Sequence, residues 1–373
     1  MKYIKTLTAI AALAASGASA QEFQFKFHHF LSAQAPAHTD MIVPWAERVE
    51  ELSGGKVAIE VFPNMTLGGR PPELVQQARD GVVDLVWALN GYTAGQFPRS
   101  EVFELPGVFV NDPAATNLAM KDLFESDLAE DYRGLEVMFL HAHAGQAIHM
   151  RDQEVRSPED LAGAKMRIPT RSGGWVIEAL GATPISMPVP DLPQSLQKGV
   201  VDGAFIPWEI IAPLKIFEQT DYQIEGVNKE RFGTSIFQVS MNKAKWDSLP
   251  DDVKQAFRDA SDEDWLAEVG QIWRDVDERG IALAVENGNT HVTLTEEETA
   301  AFRDAIAPVR DRWVEEVSGA GFDGAALVEK AIAATEAHAG AGDAAAEEAP
   351  ADDAAATETP AEEAPAEEAE AAQ

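Results

Sequence analysis

Hydrophobic and polar positions along the first part of the chain follow a strand period and a helix period in turn. From Phe23 to Phe27 every second residue is aromatic, which predicts a strand with one buried face. Apolar residues at helical spacing follow from Trp45 to Leu52, directly after Pro44. The elements predicted up to residue 90 are strands at 23–27, 57–62 and 82–87 and helices at 45–52 and 71–79. Because strands and helices alternate, this half is predicted to be α/β with a largely parallel sheet.

The same alternation resumes near residue 135. The elements predicted there are strands at 135–140, 165–169 and 201–206 and helices at 174–180 and 191–198. Two similar lobes are the simplest arrangement of these elements, so the predicted fold class is α/β with two lobes.

A different pattern begins after residue 231, where a strand at 235–241 precedes a long helical stretch at 250–287. A single helix of 38 residues would be about 55 Å long, which exceeds one lobe of this size. The stretch is therefore predicted either to break near Ala260 and Ser261 or to lie across both lobes. A short strand at 291–294, a helix capped by Thr295 with Glu298 in capping-box position, and a last helix to about residue 338 follow.

These elements predict how the chain divides into two domains. We expect lobe I to comprise residues 22–144 and 232–275, and lobe II to comprise residues 145–231 and 276–325. The long helix would then link the two lobes as a brace.

Both ends of the chain differ in composition from the predicted lobes. Lys2 and Lys5, an apolar run and the small residues Ala18–Ala20 predict a signal peptide at residues 1–20, cleaved after Ala20. The run is shorter than the roughly 20 apolar residues of a membrane anchor. Export to the periplasm is therefore predicted. Residues 341–373 are acidic and rich in Ala, Glu and Pro, without aromatic or branched aliphatic residues, and are predicted to be disordered.

Charge and cysteine content exclude several classes of protein. The 373 residues carry a formal net charge of −34, of which residues 343–373 hold 11 acids without any Lys or Arg. Such a charge disfavours nucleic acid and anionic membrane surfaces as partners. The chain has no cysteine, which excludes a disulfide-stapled scaffold and thiol chemistry. An anion-binding site in so acidic a protein must be locally basic.

Candidate binding residues lie where the predicted strands end. Ligands of open α/β sheets bind beyond the carboxyl ends of the strands. The residues at these ends include His29, Phe30, Trp87, Asn90, Tyr92, Gln146, Arg167, Phe205, Ile206 and Trp208. Aromatic side chains, one arginine and few acids indicate binding and not catalysis, and the set contains no glycine-rich phosphate loop or nucleophile elbow.

Several ordered motifs carry a resemblance to a known family. They are the segments 157–169 (SPEDLAGAKMRIP), 180–184 (LGATP) and 196–203 (LQKGVVDG), with the earlier segments 62–69 (FPNMTLGG), 81–84 (GVVD) and 102–106 (VFELP). In this order and spacing the chain resembles the extracytoplasmic solute receptors of tripartite ATP-independent periplasmic (TRAP) transporters, of the dicarboxylate-receptor type. The similarity covers about residues 22–325.

The resemblance implies a two-lobed receptor that closes around an organic acid and delivers it to a membrane permease driven by an ion gradient. The arginine of the Lys-Met-Arg motif holds the ligand carboxylate in such receptors, and that residue is Arg167 here. A guanidinium group suits this role because it forms two parallel hydrogen bonds to a carboxylate and keeps its charge. No cofactor, no metal and no insertion into the membrane are expected.

Three departures from the family pattern narrow the range of ligands that we expect. Ala147 stands where sialic acid receptors carry a second arginine, Ile206 replaces an asparagine, and Val189 replaces an aromatic residue. The expected ligand is a monocarboxylate with an apolar or aromatic body. The walls would come from Phe30, Trp87, Tyr92, Phe205 and Trp208, and the polar edge from Gln146, Asn90 and His29.

Two alternatives come from other classes of protein. His141 and His143, with His28, His29 and His149, could compose a zinc site in an exported zinc-binding receptor. Asp84, Glu104, Asp202 and Glu209 could be paired carboxylates of an exported hydrolase, although Asp84 and Asp202 both follow a Gly-Val-Val sequence where a turn or cap role explains them. An enzyme is not expected.

Overall fold

A computed structural model describes residues 22–340 of the chain, which form two packed α/β lobes. The predicted signal peptide at residues 1–20 and the predicted acidic tail at residues 341–373 lie outside the described residues. Within the described range, no helix has both the length and the apolar character needed to cross a bilayer.

The strands of the described chain are β1 (Phe23–His28), β2 (Val57–Phe62), β3 (Leu85–Leu89), β4 (Leu135–Ala142), β5 (Ala147–Met150), β6 (Lys165–Ile168), β7 (Thr183–Ser186), β8 (Gly203–Ile206), β9 (Tyr222–Glu225), β10 (Ile236–Asn242) and β11 (Thr290–Thr293). The α-helices are α1 (Val43–Leu52), α2 (Leu74–Arg79), α3 (Pro113–Leu123), α4 (Arg171–Ala179), α5 (Leu192–Gln197), α6 (Lys243–Asp247), α7 (Asp251–Asp259), α8 (Glu263–Glu286), α9 (Glu296–Ile306), α10 (Pro308–Val317) and α11 (Gly324–Ala337). Short 3₁₀ and π-helical turns join several of them.

The sheet of lobe I has the strand order β2-β1-β3-β10-β4. Strands β1, β2 and β3 are parallel, as the alternating pattern predicts, whereas β10 is antiparallel to both β3 and β4. Strand β4 therefore runs in the same direction as β1, β2 and β3, so the expectation of a largely parallel sheet holds and β10 alone is reversed. The reason is that β10 enters from lobe II and not through a helical crossover, so its direction is free to reverse.

The sheet of lobe II has the order β11-β9-β5-β8-β6-β7. Strand β5 is antiparallel to both of its neighbours, whereas β6 runs parallel to β7 and β8. Strand membership places residues 23–142 and 236–242 around one sheet, and residues 147–225 and 290–293 around the other. The exact residues at which each lobe begins and ends, as predicted from the sequence, stay a prediction.

Two segments of chain cross between the lobes side by side, one before β5 and one before β10. The backbone N–H of Gln146 donates to the carbonyl of Gly233 at 2.7 Å, and the N–H of Phe232 donates to the carbonyl of Gln146 at 3.1 Å. These bonds tie the two crossovers together next to the space between the sheets.

The long helical stretch breaks where the sequence allowed a break. Helix α7 ends at Asp259, and α8 begins after Asp262, whose carboxylate caps it by accepting from the N–H of Trp265 at 2.9 Å. The 24 residues of α8 span about 36 Å. The helix packs against α3 and β4 of lobe I and against the turn at residues 208–210 and β11 of lobe II. It therefore links both lobes, as predicted.

Two glycines of α8 permit its closest approaches. A Cβ atom at Gly270 would collide with the backbone of Ala114 in α3 of lobe I. A Cβ atom at Gly280 would collide with the backbone of Trp208 in lobe II. At these two positions α8 therefore packs so closely on each lobe that no side chain fits between the helix and the lobe.

Candidate functional site

A cavity lies between the two sheets, lined by residues at or beyond the carboxyl ends of β1, β3, β6 and β8 and by the start of β10. It holds about 500 Å³ of space not filled by protein atoms. Its apolar lining residues are Phe30, Leu31, Pro36, Ala37, Trp87, Leu89, Pro169, Val189, Ile206, Pro207, Ile210, Phe237 and Trp273. Its polar lining residues are Tyr92, His143, Gln146, Arg167, Glu209 and Ser235. An apolar space with a few convergent polar groups is typical of a small-molecule site.

Arg167 supplies the positive charge of the cavity from the interior strand β6. Its side chain is 2% exposed and is held by three oxygen acceptors. Nε donates to the carbonyl of Met187 at 3.1 Å, Nη1 lies 3.5 Å from the carbonyl of Phe205, and Nη2 lies 3.4 Å from the hydroxyl of Tyr92. Within residues 22–340 this guanidinium has no carboxylate ion-pair partner. Burial lowers the pKa of Arg167, but the group stays charged at physiological pH.

A continuous aromatic wall of Phe30, Trp87 and Phe237 faces the cavity from lobe I. Phe30 stacks on Trp87 with ring centroids 4.7 Å apart and planes inclined by 10°, and Trp87 stacks on Phe237 at 4.9 Å and 4°. The three residues come from the ends of β1 and β3 and from β10, which the sheet order brings side by side. The wall is an apolar stack of rings that is fixed by packing.

The remaining polar groups of the cavity are neutral. Desolvation by burial lowers the pKa of His143 well below its ordinary value, so the imidazole carries no charge at neutral pH. Burial, and then the nearby carboxylate of Asp277, raises the pKa of Glu209 well above its ordinary value. Among the described residues that line the cavity, Arg167 is therefore the one charged side chain at neutral pH.

A family model described as bacterial extracellular solute-binding protein, family 7, matches residues 27–316. The chain belongs to this family. The receptor has a curated relative in the C4-dicarboxylate-binding periplasmic protein DctP of Rhodobacter capsulatus, which is 28% identical over 317 residues, or 83% of this chain and 92% of the relative.

Two solved structures resemble the receptor throughout. One is a marine metagenome TRAP solute-binding protein from an unidentified microbe, specific for aromatic acid ligands and in complex with 3-hydroxybenzoate. It is 36% identical with a TM-score of 0.83, over 86% of this chain and 99% of that one. The other is a TRAP solute-binding protein of Rhodoferax ferrireducens with copurified benzoate, 35% identical with a TM-score of 0.82, over 84% and 98%. These matches confirm the expected family and the two-lobed fold. They also confirm that the family is one of receptors and not of enzymes.

Six of the ten predicted site residues line the cavity of the receptor, and four do not. The six are Phe30, Trp87, Tyr92, Gln146, Arg167 and Ile206. The four that lie elsewhere are His29, Asn90, Phe205 and Trp208.

The two predicted polar residues outside the cavity already have partners in the interior of lobe I. His29 Nε2 lies 2.9 Å from His38 Nδ1, and burial lowers the pKa of His29 to about 3. Asn90 donates to the hydroxyl of Tyr132 at 2.7 Å and accepts from Gln238 at 2.6 Å. A role for either side chain in binding stays a prediction, which these contacts do not favour.

The two predicted aromatic residues outside the cavity lie deeper in lobe II. Phe205 contributes its carbonyl oxygen to Arg167, while its ring packs beside Gly173 and Gly233. Trp208 is fully buried and packs edge-on against His149 and His291. Because consecutive strand residues face opposite sides of a sheet, Ile206 lines the cavity and Phe205 does not.

The residues that depart from the family pattern are buried in or around the site. Ala147 pairs with Ile206 between β5 and β8 and is fully buried. Val189 lines the cavity, and its backbone N–H donates to the hydroxyl of Tyr92 at 2.8 Å. Neither position provides a second cation.

The zinc alternative has little support in this arrangement. His141 is fully buried, and its Nε2 accepts from the indole N–H of Trp87 at 2.8 Å. Within residues 22–340 there is no group of three or more His, Cys, Asp or Glu residues placed to hold a metal ion.

The carboxylates of the hydrolase alternative have structural partners. Asp84 accepts from the backbone N–H of Lys26, and Asp202 accepts from that of Lys165, each at 2.8 Å. Glu104 accepts from the hydroxyl of Ser172 and from the backbone N–H of Ile236. Of the four, only Glu209 lines the cavity.

Tyr92 joins the lobes directly across the site. It follows β3 in lobe I, yet its hydroxyl oxygen accepts from Val189 and Arg167 of lobe II. Burial raises the pKa of Tyr92, so the hydroxyl keeps its proton and can donate it to an acceptor beside Arg167.

Replacing Tyr92 with phenylalanine should therefore weaken the binding of a carboxylate ligand about three- to tenfold, the usual effect of one lost hydrogen bond. Isothermal titration of the variant checks this. Tyr222→Phe provides the control, because Tyr222 lies in β9 outside the cavity lining. Equal affinity of Tyr92→Phe and the unaltered receptor would show that the hydroxyl has no part in binding.

Proposed function

We propose that this chain is a periplasmic receptor that binds an aromatic monocarboxylate and delivers it to the membrane permease of a TRAP transporter. The observation that carries the proposal is the pairing of one guanidinium without a carboxylate partner, Arg167, with a wall of stacked aromatic rings in the same cavity. The proposed ligand therefore has one carboxylate group and one flat apolar body.

The charge of the cavity supports a ligand with a single carboxylate group. One carboxylate neutralises Arg167, the only charged lining side chain among the described residues at neutral pH. A second carboxylate would be buried without a cation, which is strongly unfavourable. Ala147 is buried and Ile206 is apolar, so neither residue supplies the cation that a second carboxylate would need.

The shape and the chemistry of the walls support an aromatic body. Phe30, Trp87 and Phe237 present a stacked surface, and Val189 and Ile206 line the cavity from lobe II. A planar ring buries its area against such walls at little conformational cost. The aromatic acids bound by the two solved relatives agree with this chemistry.

Delivery to a permease rests on family membership and on the contacts between the lobes. Tyr92 with Val189, and Arg171 with Glu101 at 2.6 Å, join lobe I to lobe II around the cavity. A ligand that contacts both lobes stabilises the closed arrangement, and a permease that prefers this arrangement selects the loaded receptor.

A comparison of four acids tests the proposal. Titration calorimetry of the receptor should show benzoate binding at least about tenfold more tightly than succinate, because the second carboxylate of succinate has no cation. Cyclohexanecarboxylate keeps the acid and loses the flat ring, so it should bind more weakly than benzoate, whereas phenylacetate should bind measurably. Tighter binding of succinate than of either aromatic acid would contradict the proposal.

A further inference from the structure

Two buried oxygen atoms of the cavity residues have no hydrogen-bond partner among residues 22–340. They are Oε1 of Gln146 and Oε2 of Glu209. The side chains are almost fully enclosed, with Gln146 1% and Glu209 7% exposed. Buried polar atoms are nearly always paired in native proteins, and because these two belong to residues that line the ligand cavity, a bound ligand is available to pair them.

Both residues lie outside β6, the strand that carries the carboxylate anchor: Gln146 precedes β5 and Glu209 follows β8. Gln146 precedes Ala147, which pairs with Ile206, and Glu209 lies three residues beyond Ile206. Strand β8 separates β5 from β6, so β5 lies about 10 Å from the strand of Arg167. The guanidinium of Arg167 lies between the carbonyl of Met187 beyond β7 and the carbonyl of Phe205 in β8.

The surroundings decide which partners these two atoms can take. The amide nitrogen of Gln146 already donates to the hydroxyl of Ser235 at 2.9 Å, which leaves its carbonyl oxygen as an acceptor. Burial and the neighbouring Asp277 raise the pKa of Glu209, which favours the protonated form that can donate a hydrogen bond. The pair thus offers one acceptor and one donor.

We infer that Gln146 and Glu209 form a second polar subsite that binds a hydroxyl group on the ring of the aromatic acid. This inference rests on the proposed function and extends it to a ligand class, the hydroxylated aromatic monocarboxylates. A hydroxyl group both donates and accepts, so it satisfies both side chains at once, and it does so for either orientation of the Gln146 amide.

Other substituents match the subsite less well. A second carboxylate would bring acceptor oxygens against the oxygen of Gln146. The cation that acts on this subsite, Arg231, is already paired with Glu225 and Asp277. An ammonium group would satisfy Gln146 but would require Glu209 to ionise beside Asp277. An unsubstituted ring leaves both atoms unpaired.

Titration of the full receptor with benzoate, the three monohydroxybenzoates, 3-(aminomethyl)benzoate and isophthalate tests the inference. At least one hydroxybenzoate should bind about tenfold more tightly than benzoate, and more tightly than 3-(aminomethyl)benzoate, which carries an ammonium group, or isophthalate, which carries a second carboxylate. The quantity to follow in variants is the ratio of the affinity for that hydroxybenzoate to the affinity for benzoate, because a merely structural change alters both affinities together.

Three variants and one control assign the effect to the two residues. Gln146→Met and Glu209→Met should each reduce the ratio toward one, whereas Glu209→Gln keeps a neutral donor of the same size and should retain most of it. The matched control is Gln223→Met. Gln223 is also a fully buried glutamine of lobe II with an unpaired carbonyl oxygen, but it lies outside the cavity and bonds to Thr220, so its loss should leave the ratio unchanged.

The outcomes separate this inference from the proposed function. Equal binding of benzoate and every hydroxybenzoate, or a wild-type ratio in both methionine variants, would overturn the subsite and leave the aromatic acid receptor intact. Tightest binding of 3-(aminomethyl)benzoate, with loss of that binding in Glu209→Gln, would show that the subsite takes a cation and not a hydroxyl group. Absence of binding for every aromatic acid tested would overturn both proposals.

Discussion

Replacing Arg167 with methionine should weaken the binding of benzoate by about 100-fold or more. The guanidinium is the one charge of the cavity, and removing it leaves a buried carboxylate without a counter-ion. Truncating one partner of a buried, hydrogen-bonded charge pair costs about 2–5 kcal/mol, and each 1.4 kcal/mol corresponds to a tenfold change in affinity. Titration calorimetry at constant ionic strength measures the loss directly.

Two further variants show whether this loss belongs to the guanidinium itself. Arg167→Lys should give an intermediate affinity, because an ammonium group keeps the charge and loses the planar fork. Arg156→Met removes one positive charge from an exposed position of lobe II and should leave the affinity unchanged. Benzoate binding of Arg167→Met at wild-type strength, with the fold intact by circular dichroism, would refute the assignment of the anchor.

Replacing Arg231 with methionine should destabilise the receptor by about 3–5 kcal/mol. Arg231 lies on the crossover before β10, where its guanidinium forms ion pairs with Glu225 of β9 and Asp277 of α8. The three side chains are between 1% and 5% exposed. Breaking such a buried pair leaves uncompensated carboxylates in the interior, which is the physical origin of the expected loss. Urea unfolding followed by tryptophan fluorescence measures it.

Arg303 offers a matched comparison at the surface. It pairs with Glu230 and Glu296, but its side chain is 41% exposed. Arg303→Met should therefore cost no more than about 1 kcal/mol. Equal destabilisation by the two arginine replacements would mean that burial does not set the strength of the Arg231 cluster.

The parts of the site that lie at strand ends could be predicted from the sequence. Arg167 is flanked by apolar residues in a short strand, and such a cation is placed by the sheet at the ligand edge. Phe30 and Trp87 follow the same rule. Local patterning also located the break between α7 and α8 and the capping box of α9.

Other parts depend on contacts between distant segments, which local patterns do not reveal. Phe237 and Trp273 line the cavity because β10 returns to lobe I and α8 crosses the site. Glu209 and Ser235 also line the cavity and were not among the predicted binding residues. Asn90 lies at a strand end, yet Tyr132 and Gln238, 42 and 148 residues away, already bind its amide. Helix α3 and strands β5, β7 and β9 also escaped prediction, because short buried segments show little periodicity.

The seating of α8 restricts how the two lobes can move. Gly270 presses on Ala114 of lobe I, and Gly280 presses on Trp208 of lobe II, so the helix can neither slide nor turn on either surface without a collision. The ten residues from one glycine to the other span about 15 Å. A change in the angle between the lobes is therefore expected to bend α8 within this short interval, between its two fixed contacts.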